Sequence, residues 1–146
     1  STYRLRSVTL GGLTSRSTIF VKLAGREARC EIACAAIANR LQTHDFFAEI
    51  DQSKLAQGAG IALHRSTLLE FGNPPLGTQF ITARAEAGLD WPVRLLVTED
   101  ERGDVWAVYT DFNWIAQRHG ITNRSEQFKT ASGVIASITG AVTDKR

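Results

Sequence analysis

Alternating and periodic apolar positions predict a succession of strands and amphipathic helices along this chain. Short apolar runs bounded by turn-forming residues are typical of strands, and they predict strands over 18–23, 45–50, 67–71, 93–99 and 105–109. Apolar residues at every third or fourth position indicate helices. They predict helices over 26–43, from Asp51 to Gly60, from Asn73 to about Glu86, from Asp111 to Gly120, and along a last stripe of Phe128, Ala131, Ile135, Ile138 and Val142.

The order of these elements predicts the fold class. Three strand-to-helix steps followed by a hairpin at Gly103 indicate an α+β two-layer sandwich, with helices packed on one mixed β-sheet. The 146 residues suffice for one sizeable core. We expect a single domain over 1–146, in which residues 1–16 form either an extra hairpin or a loose arm.

The strand over 105–109 is apolar on both faces. Val105, Ala107 and Tyr109 alternate with Trp106 and Val108. Because a strand with one face in water normally alternates apolar and polar residues, both faces are expected to be covered, or one to lie at a subunit contact.

Composition narrows the class of protein without naming a partner. The chain is 43% hydrophobic and 22% charged, with 17 basic and 15 acidic residues and a net charge of +2. These values match an ordinary soluble domain, and no apolar run is long enough to span a membrane. With no visible export signal, we expect a cytoplasmic protein. Nucleic-acid binding ranks last among the functions, because the basic residues near the N-terminus lack interleaved aromatic residues; they are Arg4, Arg6, Arg16, Lys22 and Arg26.

The two cysteines are predicted to be core thiols. Cys30 and Cys34 are four residues apart in the helical pattern and share a stripe with Ile37 and Leu41. A disulfide between them would need strained geometry. The three histidines, His44, His64 and His119, are far apart in sequence, so we expect no metal. The Gly58-x-Gly60 pattern ends a helix instead of opening one, so no nucleotide cofactor is expected.

The segment Phe71 to Thr78 is the predicted ligand site. Gly72 can adopt a positive φ that other residues resist. Asn73 can cap a helix through its side chain, and Pro74 suits the first helical position. Free N–H groups beyond this cap, near Gly77 and Thr78, would favour an anion. A well-capped helix without a ligand is the alternative reading.

Four titratable residues are further candidates, and each also has an ordinary structural role. Glu99 precedes the hairpin turn and Asp90 precedes Trp91-Pro92, so both suit turns. Tyr109 lies in a strand, and its hydroxyl needs a partner if buried. His119 lies in the last turn of a helix, where it can cap carbonyl groups; proton transfer would require it to face Tyr109 or Asp90. If the strands before them run parallel, Asp51, Gly72-Asn73 and Glu99-Asp100 gather at one sheet edge.

Over residues 45 to 121 the order of motifs resembles a known family. The motifs are Phe47-Ala48-Glu49-Ile50-Asp51, Phe71-Gly72-Asn73-Pro74 with Gly77-Thr78, Leu89-Asp90-Trp91-Pro92, Leu95-Leu96-Val97, Glu99-Asp100, Gly103, Val105-Trp106, Tyr109, Asp111 and Arg118-His119-Gly120. They look like the bacterial and archaeal family called domain of unknown function 302. The resemblance implies a compact α+β domain, usually a homodimer, and brings no established activity, cofactor or catalytic residue. Gln52 stands where this family commonly has histidine.

Three functions stay open at this point. The first is a non-catalytic homodimeric module that binds a small, possibly anionic, ligand at the junction near Asn73, with Thr78, Asp90 and Tyr109 as contributors. The second is a small acid–base enzyme that uses Glu99, Asp90 or His119, and it requires these groups to converge in one pocket. The third is a protein-interaction or regulatory domain, which a flat apolar surface would favour.

Overall fold

One antiparallel sheet organises the protein. The computed structural model describes residues 6–8, 18–23, 30–41 and 44–143. Within these ranges the sheet has six strands in the order β1-β2-β6-β5-β4-β3. The strands are β1 (Arg6–Val8), β2 (Thr18–Lys22), β3 (Asp45–Asp51), β4 (Ser66–Gly72), β5 (Val93–Glu99) and β6 (Val105–Thr110).

The helices connect the strands or follow them. The described part contains α1 (Cys30–Leu41), α2 (Gln52–Gly58), α3 (Pro74–Ala83), a 3-10 helix (Ala85–Asp90), α4 (Phe112–Arg118) and α5 (Ser125–Thr143). Asp51 caps α2 and Asp111 caps α4, each by accepting a backbone N–H through its side chain. In place of the single helix predicted from Asn73 to Glu86, the structure has two helical segments, α3 and the 3-10 helix.

The core lies between one sheet face and the helices. Leu69, Leu95 and Ala107, on three neighbouring strands, have no solvent exposure. From the helices, Ile37 and Phe80 are equally buried. The stripe predicted for the last helix is confirmed for its described side chains, since Phe128, Ala131, Ile135 and Ile138 are all buried.

The α+β class with helices packed on one sheet is confirmed, but the described strands are not mixed. Every described pair is antiparallel. The chain between β4 and β5 explains this, because it folds back on itself as α3 and the 3-10 helix. β5 therefore begins beside the end of β4, with Phe71 opposite Val93. A parallel arrangement would need a crossover that returns along the whole strand.

Most predicted boundaries agree with the structure to within two residues. The strand over 93–99 is found as predicted, and the hairpin turn has Gly103 at a φ of 77°. The helix predicted over 26–43 is described from Cys30 to Leu41, and its flanks lie outside the described residues. Of residues 1–16 only 6–8 are described, as β1 paired with β2. The choice between a hairpin and an arm stays a prediction.

Both cysteines are buried free thiols, as predicted. The Cys30 Sγ lies 3.6 Å from the Val97 carbonyl oxygen, and the Cys34 Sγ lies 3.9 Å from Glu49 Oε1. Burial is the main reason why the pKa of each thiol rises from 9.0 to about 11. Among the helices of the described ranges, none has the length and apolar character that crossing a bilayer requires.

Candidate functional site

The junction at Asn73 is the predicted helix start, but the amides just beyond the cap, those of Leu76 and Gly77, are already paired. Asn73 Oδ1 accepts the Leu76 N–H at 3.0 Å, and Pro74 occupies the first helical position. Pro75 follows, so neither of the first two helical residues has an N–H. The Gly77 N–H donates to the Asn73 carbonyl at 2.7 Å. The amides on which the argument for an anion depends are therefore paired, and the ligand site at this junction stays a prediction.

Gly72 and Gly77 make room for aromatic rings. Gly72 does not use the positive φ that glycine permits, because the described glycines with positive φ are Gly60, Gly103 and Gly120. A Cβ on Gly72 would lie 3.2 Å from the Phe47 ring. A Cβ on Gly77 would lie 3.2 Å from the Trp91 indole. Close packing, and not an unusual backbone conformation, explains both glycines.

Thr78 is occupied by its own helix. It is exposed, and its Oγ1 donates to the Pro74 carbonyl at 2.6 Å. Such a bond back to the preceding turn is common for threonine in helices. The hydroxyl adds no group aimed at a ligand beside Asn73.

Asp90, Arg118 and His119 form a charged cluster at the end of the sheet where β4 ends. The Asp90 carboxylate accepts Arg118 Nη1 at 3.1 and 3.2 Å, and His119 Nε2 lies 2.5 Å from Asp90 Oδ2. The Asp90 and His119 side chains are only 6% and 5% exposed. Asp90 thus brings the end of the 3-10 helix to the end of α4. This contact meets the geometric condition set for His119 as an acid–base residue.

An aromatic stack closes one side of the cluster. The Trp91 ring is 5.0 Å from the Phe80 ring at 9°, and 5.9 Å from the Phe112 ring. The Arg118 guanidinium lies 5.4 Å from the Trp114 ring, in cation–π contact. In the described part of the chain, Trp91 Nε1 is a buried donor without a hydrogen-bond partner.

The space at Asp90 is too small for a substrate. A cavity of about 20 Å³ is lined by Asp90, Val93, Arg94, Thr110, Phe112 and Ile115. This volume can hold one water molecule, whereas organic ligands occupy pockets of about 300–1,000 Å³. The cluster therefore ties α4 to the 3-10 helix, and its Asp90 carboxylate and His119 imidazole are enclosed, whereas the Arg118 side chain is 36% exposed.

Tyr109, near the end of β6, is a buried core residue. Its side chain is buried in the core cluster, near Thr139 of α5. The Thr139 hydroxyl itself donates to the Ile135 carbonyl at 2.9 Å. Burial, with a smaller effect from Asp111, raises the pKa of Tyr109. A neutral, structural hydroxyl results.

Glu99 is at the opposite end of the sheet from Asn73, Asp90 and His119. Because β4 and β5 are antiparallel, the end of β5 lies beside the start of β4, with Thr98 opposite Ser66. The predicted gathering at one edge is therefore wrong. Glu99 lies at the same end of the sheet as Asp51. The three residues proposed for acid–base catalysis, Glu99, Asp90 and His119, therefore do not converge in one pocket.

Asp100, beside Glu99, organises the hairpin turn. Its carboxylate accepts the Arg102 and Asp104 N–H groups at 2.9 and 3.0 Å and the Trp106 Nε1–H at 3.0 Å. These hydrogen bonds, that from Trp106 first, lower the pKa of Asp100. The reading of this segment as ordinary turn chemistry is supported.

One face of the sheet carries a row of apolar residues outside the core. The row crosses five strands through directly paired positions, Ile50, Leu68, Leu96, Val108 and Phe20. All five are half-buried, and none belongs to the core cluster or to the side chains packed against it in the described part. We call this surface the open face. It matches the prediction that both faces of the last strand are apolar.

A second apolar surface lies in the connection between β3 and β4. Leu55, Ile61 and Leu63 are 66%, 62% and 52% exposed, and α2 has no buried residue. The predicted C-cap at Gly60 forms, and the Ile61 N–H donates to the Ala56 carbonyl at 2.9 Å. The Ile61 side chain nevertheless makes no core contact. We call residues 55–65, which comprise the end of α2 and the loop that follows it, the exposed loop.

Sequence reasoning missed a shallow groove between α1 and α5. The groove has a volume of about 510 Å³ and is lined by Arg40, His44, Thr130, Gly133, Val134, Ser137 and Ile138. One signal was present, because positions 130, 133, 134 and 137 fall on one side of a helix. The missing information was which helix this side faces.

No cluster of three or more metal-ligating side chains occurs in the described ranges. The expectation of no metal and no cofactor stays a prediction, since this observation covers only those residues.

The fold and these surfaces define the class of protein as a small α+β domain whose sheet has one face covered by helices and one face that no helix of the described ranges covers. A family model for "Domain of unknown function DUF302" matches residues 25–141. The chain belongs to this family, which confirms the resemblance seen in the sequence.

Among curated proteins, the chain is similar to ion channels from Brucella. "Fluoride-specific ion channel FluC 1" of Brucella suis biovar 1 (strain 1330) is 37% identical over 97 residues, which cover 66% of this chain and 37% of that protein. "Fluoride-specific ion channel FluC 1" of Brucella abortus biovar 1 (strain 9-941) is 37% identical over 97 residues, with 66% and 35% covered. The chain thus spans about a third of the length of these relatives.

A solved structure shares the fold. The crystal structure of an uncharacterized conserved DUF302 protein from Bacillus stearothermophilus superposes with a TM-score of 0.65 at 14% identity. The match covers 87% of this chain and 95% of that one. At this identity the similarity concerns the fold alone.

Proposed function

We propose that this chain is a non-catalytic interaction module that forms a homodimer through its open face. The observation that carries the proposal is the apolar row from Ile50 to Phe20, which lies outside the core on a sheet of six described strands. Exposed apolar surface of this extent marks a protein contact. The buried Asp90 cluster supports the non-catalytic part, because its carboxylate is enclosed.

A second copy fits this face by symmetry and charge. In a two-fold dimer the same patch meets itself, so the patch must be self-complementary. Next to the apolar row, Glu70 of β4 is paired with Arg94 of β5. Across a two-fold axis, each Arg94 can therefore face the Glu70 of the other copy while the apolar rows pack together.

The size of the surface fits a dimer when the exposed loop is included. Strand spacings of about 4.8 Å and rises of about 3.3 Å per residue give the open face a planar area of roughly 550 Å². A stable interface buries about 800 Å² per partner. The exposed loop, which joins β3 to β4 at one end of this face, carries Leu55, Ile61 and Leu63 and can supply the remainder.

Light scattering on a size-exclusion column tests the proposal. We expect the native chain to have twice the chain mass and Leu96→Glu to be monomeric, because a carboxylate on the open face would be buried at the contact. Leu89→Glu is the matched control, since Leu89 is 68% exposed and lies in the 3-10 helix. A monomeric native chain, or a dimer that survives Leu96→Glu, overturns the proposal. Circular dichroism checks that both variants fold.

A second candidate function is regulation of an anion channel. The Brucella relatives named as fluoride-specific channels are about three times as long as the matched part, so they contain this domain beside further sequence. The test is fluoride efflux from vesicles that contain the Brucella suis protein, with and without the segment that matches this chain. A change in efflux rate supports a regulatory role, and equal rates exclude it.

A further inference from the structure

We propose that Glu70 and Arg94 select the partner of the open face and fix its orientation: the partner is a second copy, and the two-fold axis runs along the strands, between β4 and β5. This inference rests on the proposed dimer and adds its geometry and its selectivity. Glu70 and Arg94 lie two positions along their strands from Leu68 and Leu96 of the apolar row, so they belong to the same face. They are directly paired across the two strands.

The charges of Glu70 and Arg94 have no counter-charge within the described chain. Arg94 is exposed and Glu70 is half-buried. The ion pairs among the described residues all join other side chains. A charge that a partner covers without a counter-charge costs free energy. A partner that packs on the open face must therefore present the two opposite charges in matching positions.

A second copy meets this requirement in one orientation. When two sheets pack face to face as a symmetric dimer, the two-fold axis lies between them, parallel to both. It brings Glu70 of one copy over Arg94 of the other only when it runs midway between these residues, at right angles to the line that joins them. That line crosses from β4 to β5, so the axis follows the strands. An axis across the strands would lay each β4 on the other β4 and leave both charges unpaired.

The same axis gives the apolar row an apolar counterpart. Leu68 of one copy lies over Leu96 of the other, and Ile50, one strand further out, lies over Val108. Packed sheets are about 10 Å apart, a gap that two layers of such side chains fill. β2 has no counterpart, because β3 is the last strand of the described sheet on the other side of the axis. Phe20 is therefore left at the rim of the contact.

This axis also places the exposed loop against the other copy. The loop follows β3 and precedes β4, so it lies at the sheet end where β5 passes into β6. Rotation about an axis along the strands keeps this end in place and exchanges the two sides of the sheet. The loop of one copy therefore lies near the β5–β6 hairpin of the other, where Trp106 is half-buried. Leu55, Ile61 and Leu63 can cover this ring, and in a single chain they are exposed.

Mixing two charge variants tests the axis. In the proposed dimer Glu70→Arg brings two arginines together at each pair, and Arg94→Glu brings two glutamates together. Each variant alone should dimerise about a hundredfold more weakly than the native chain, at about tenfold for each of the two pairs. An equimolar mixture restores both opposite pairs between unlike copies. We expect light scattering to show monomers for each variant alone and dimers for the mixture, and native mass spectrometry to show one copy of each variant in these dimers.

Two variants at opposite ends of the apolar row provide a second measurement. Ile50→Glu places a carboxylate inside the contact, whereas Phe20→Glu places one at its rim. We expect Ile50→Glu to be monomeric and Phe20→Glu to stay dimeric. Equal behaviour of the two contradicts the axis, because an axis across the strands would lay both residues on their own copies inside the contact.

The outcomes separate this inference from the proposed dimer. Suppose that the native chain is a dimer and that Leu96→Glu dissociates it. Charge variants that then dimerise as well as the native chain, or that do not combine in the mixture, overturn the axis and leave the dimer standing. A monomeric native chain overturns both. If circular dichroism shows that a charge variant does not fold, the comparison of Ile50→Glu with Phe20→Glu decides.

Discussion

The two faces of the sheet use the same kind of residue for different purposes. Leu95 faces the helices and has no exposure, whereas its neighbour Leu96 lies in the open face and is half-buried. Both are leucines of β5, and both are paired with residues of β4 and β6. Helices cover the first face and supply its core, while no part of the core cluster reaches the second. An apolar residue in a strand therefore indicates a contact, but not whether the partner is in the same chain.

The largest expected effect comes from truncating a leucine on each face. Leu95→Ala leaves a cavity in the core and should lower the free energy of unfolding by about 2–5 kcal/mol. Leu96→Ala should cost about 1 kcal/mol or less at low protein concentration, where the open face meets water. Chemical denaturation of both variants measures the difference.

Protein concentration sharpens this comparison. If the open face is a dimer contact, the cost of Leu96→Ala should grow with concentration, because association stabilises only the folded native chain. The cost of Leu95→Ala should change little. Equal costs for both variants at every concentration would contradict the distinction between the two faces.

The next effect is a loss of stability at high pH, caused by the thiols under the covered face. Cys30 and Cys34 have a pKa of about 11 when folded, against an ordinary 9.0. The folded chain holds these protons more tightly, so their contribution to stability is complete below pH 9 and declines as the pH rises towards 11. Each thiol contributes a slope of at most about 1.4 kcal/mol per pH unit. Denaturation midpoints measured from pH 8 to 11 test this.

A variant without thiols is the control for the pH effect. Cys30→Ala combined with Cys34→Ala should flatten the decline between pH 9 and 11. Tyr109 will leave part of it, because its pKa is also raised by burial. A decline of the same steepness without the thiols would show that other groups cause it.

The smallest expected effect comes from removing the N-terminal cap of α3, the helix that follows β4. Asn73→Ala removes the side-chain cap of α3 and should cost about 1 kcal/mol. Thr78→Ala, at an exposed position of the same helix, should change stability by about 0.5 kcal/mol or less. Thermal unfolding with and without phosphate measures both. Since the Leu76 and Gly77 amides at this helix start are already paired, phosphate should shift the native chain and Asn73→Ala equally. A smaller shift for Asn73→Ala would favour the junction as a ligand site.

Local patterns were sufficient to predict most elements of this protein. The alternation over 93–99 gives β5 with its observed bounds, and Asp51, Asn73 and Asp111 cap the helices that follow them. In the stripe that contains Cys30 and Cys34, the side chains of Cys30, Cys34 and Ile37 are buried, as their spacing indicates. These features depend on residues a few positions apart, whose steric and hydrogen-bonding preferences act locally. The family, too, follows from the order of motifs.

The tertiary structure alone decided which residues meet. The fold-back of residues 73–92 makes β5 antiparallel to β4, and this direction separates Glu99 from Asp90 by the length of the sheet. The pairing of Asp90 with His119 joins residues 29 positions apart, and no periodicity encodes it. Gly72 and Gly77 leave room for the rings of Phe47 and Trp91, and no local pattern in the sequence shows that these rings lie beside the two glycines. Long-range packing sets these contacts, because burial of the whole apolar layer, and not any local preference, fixes the path of the chain.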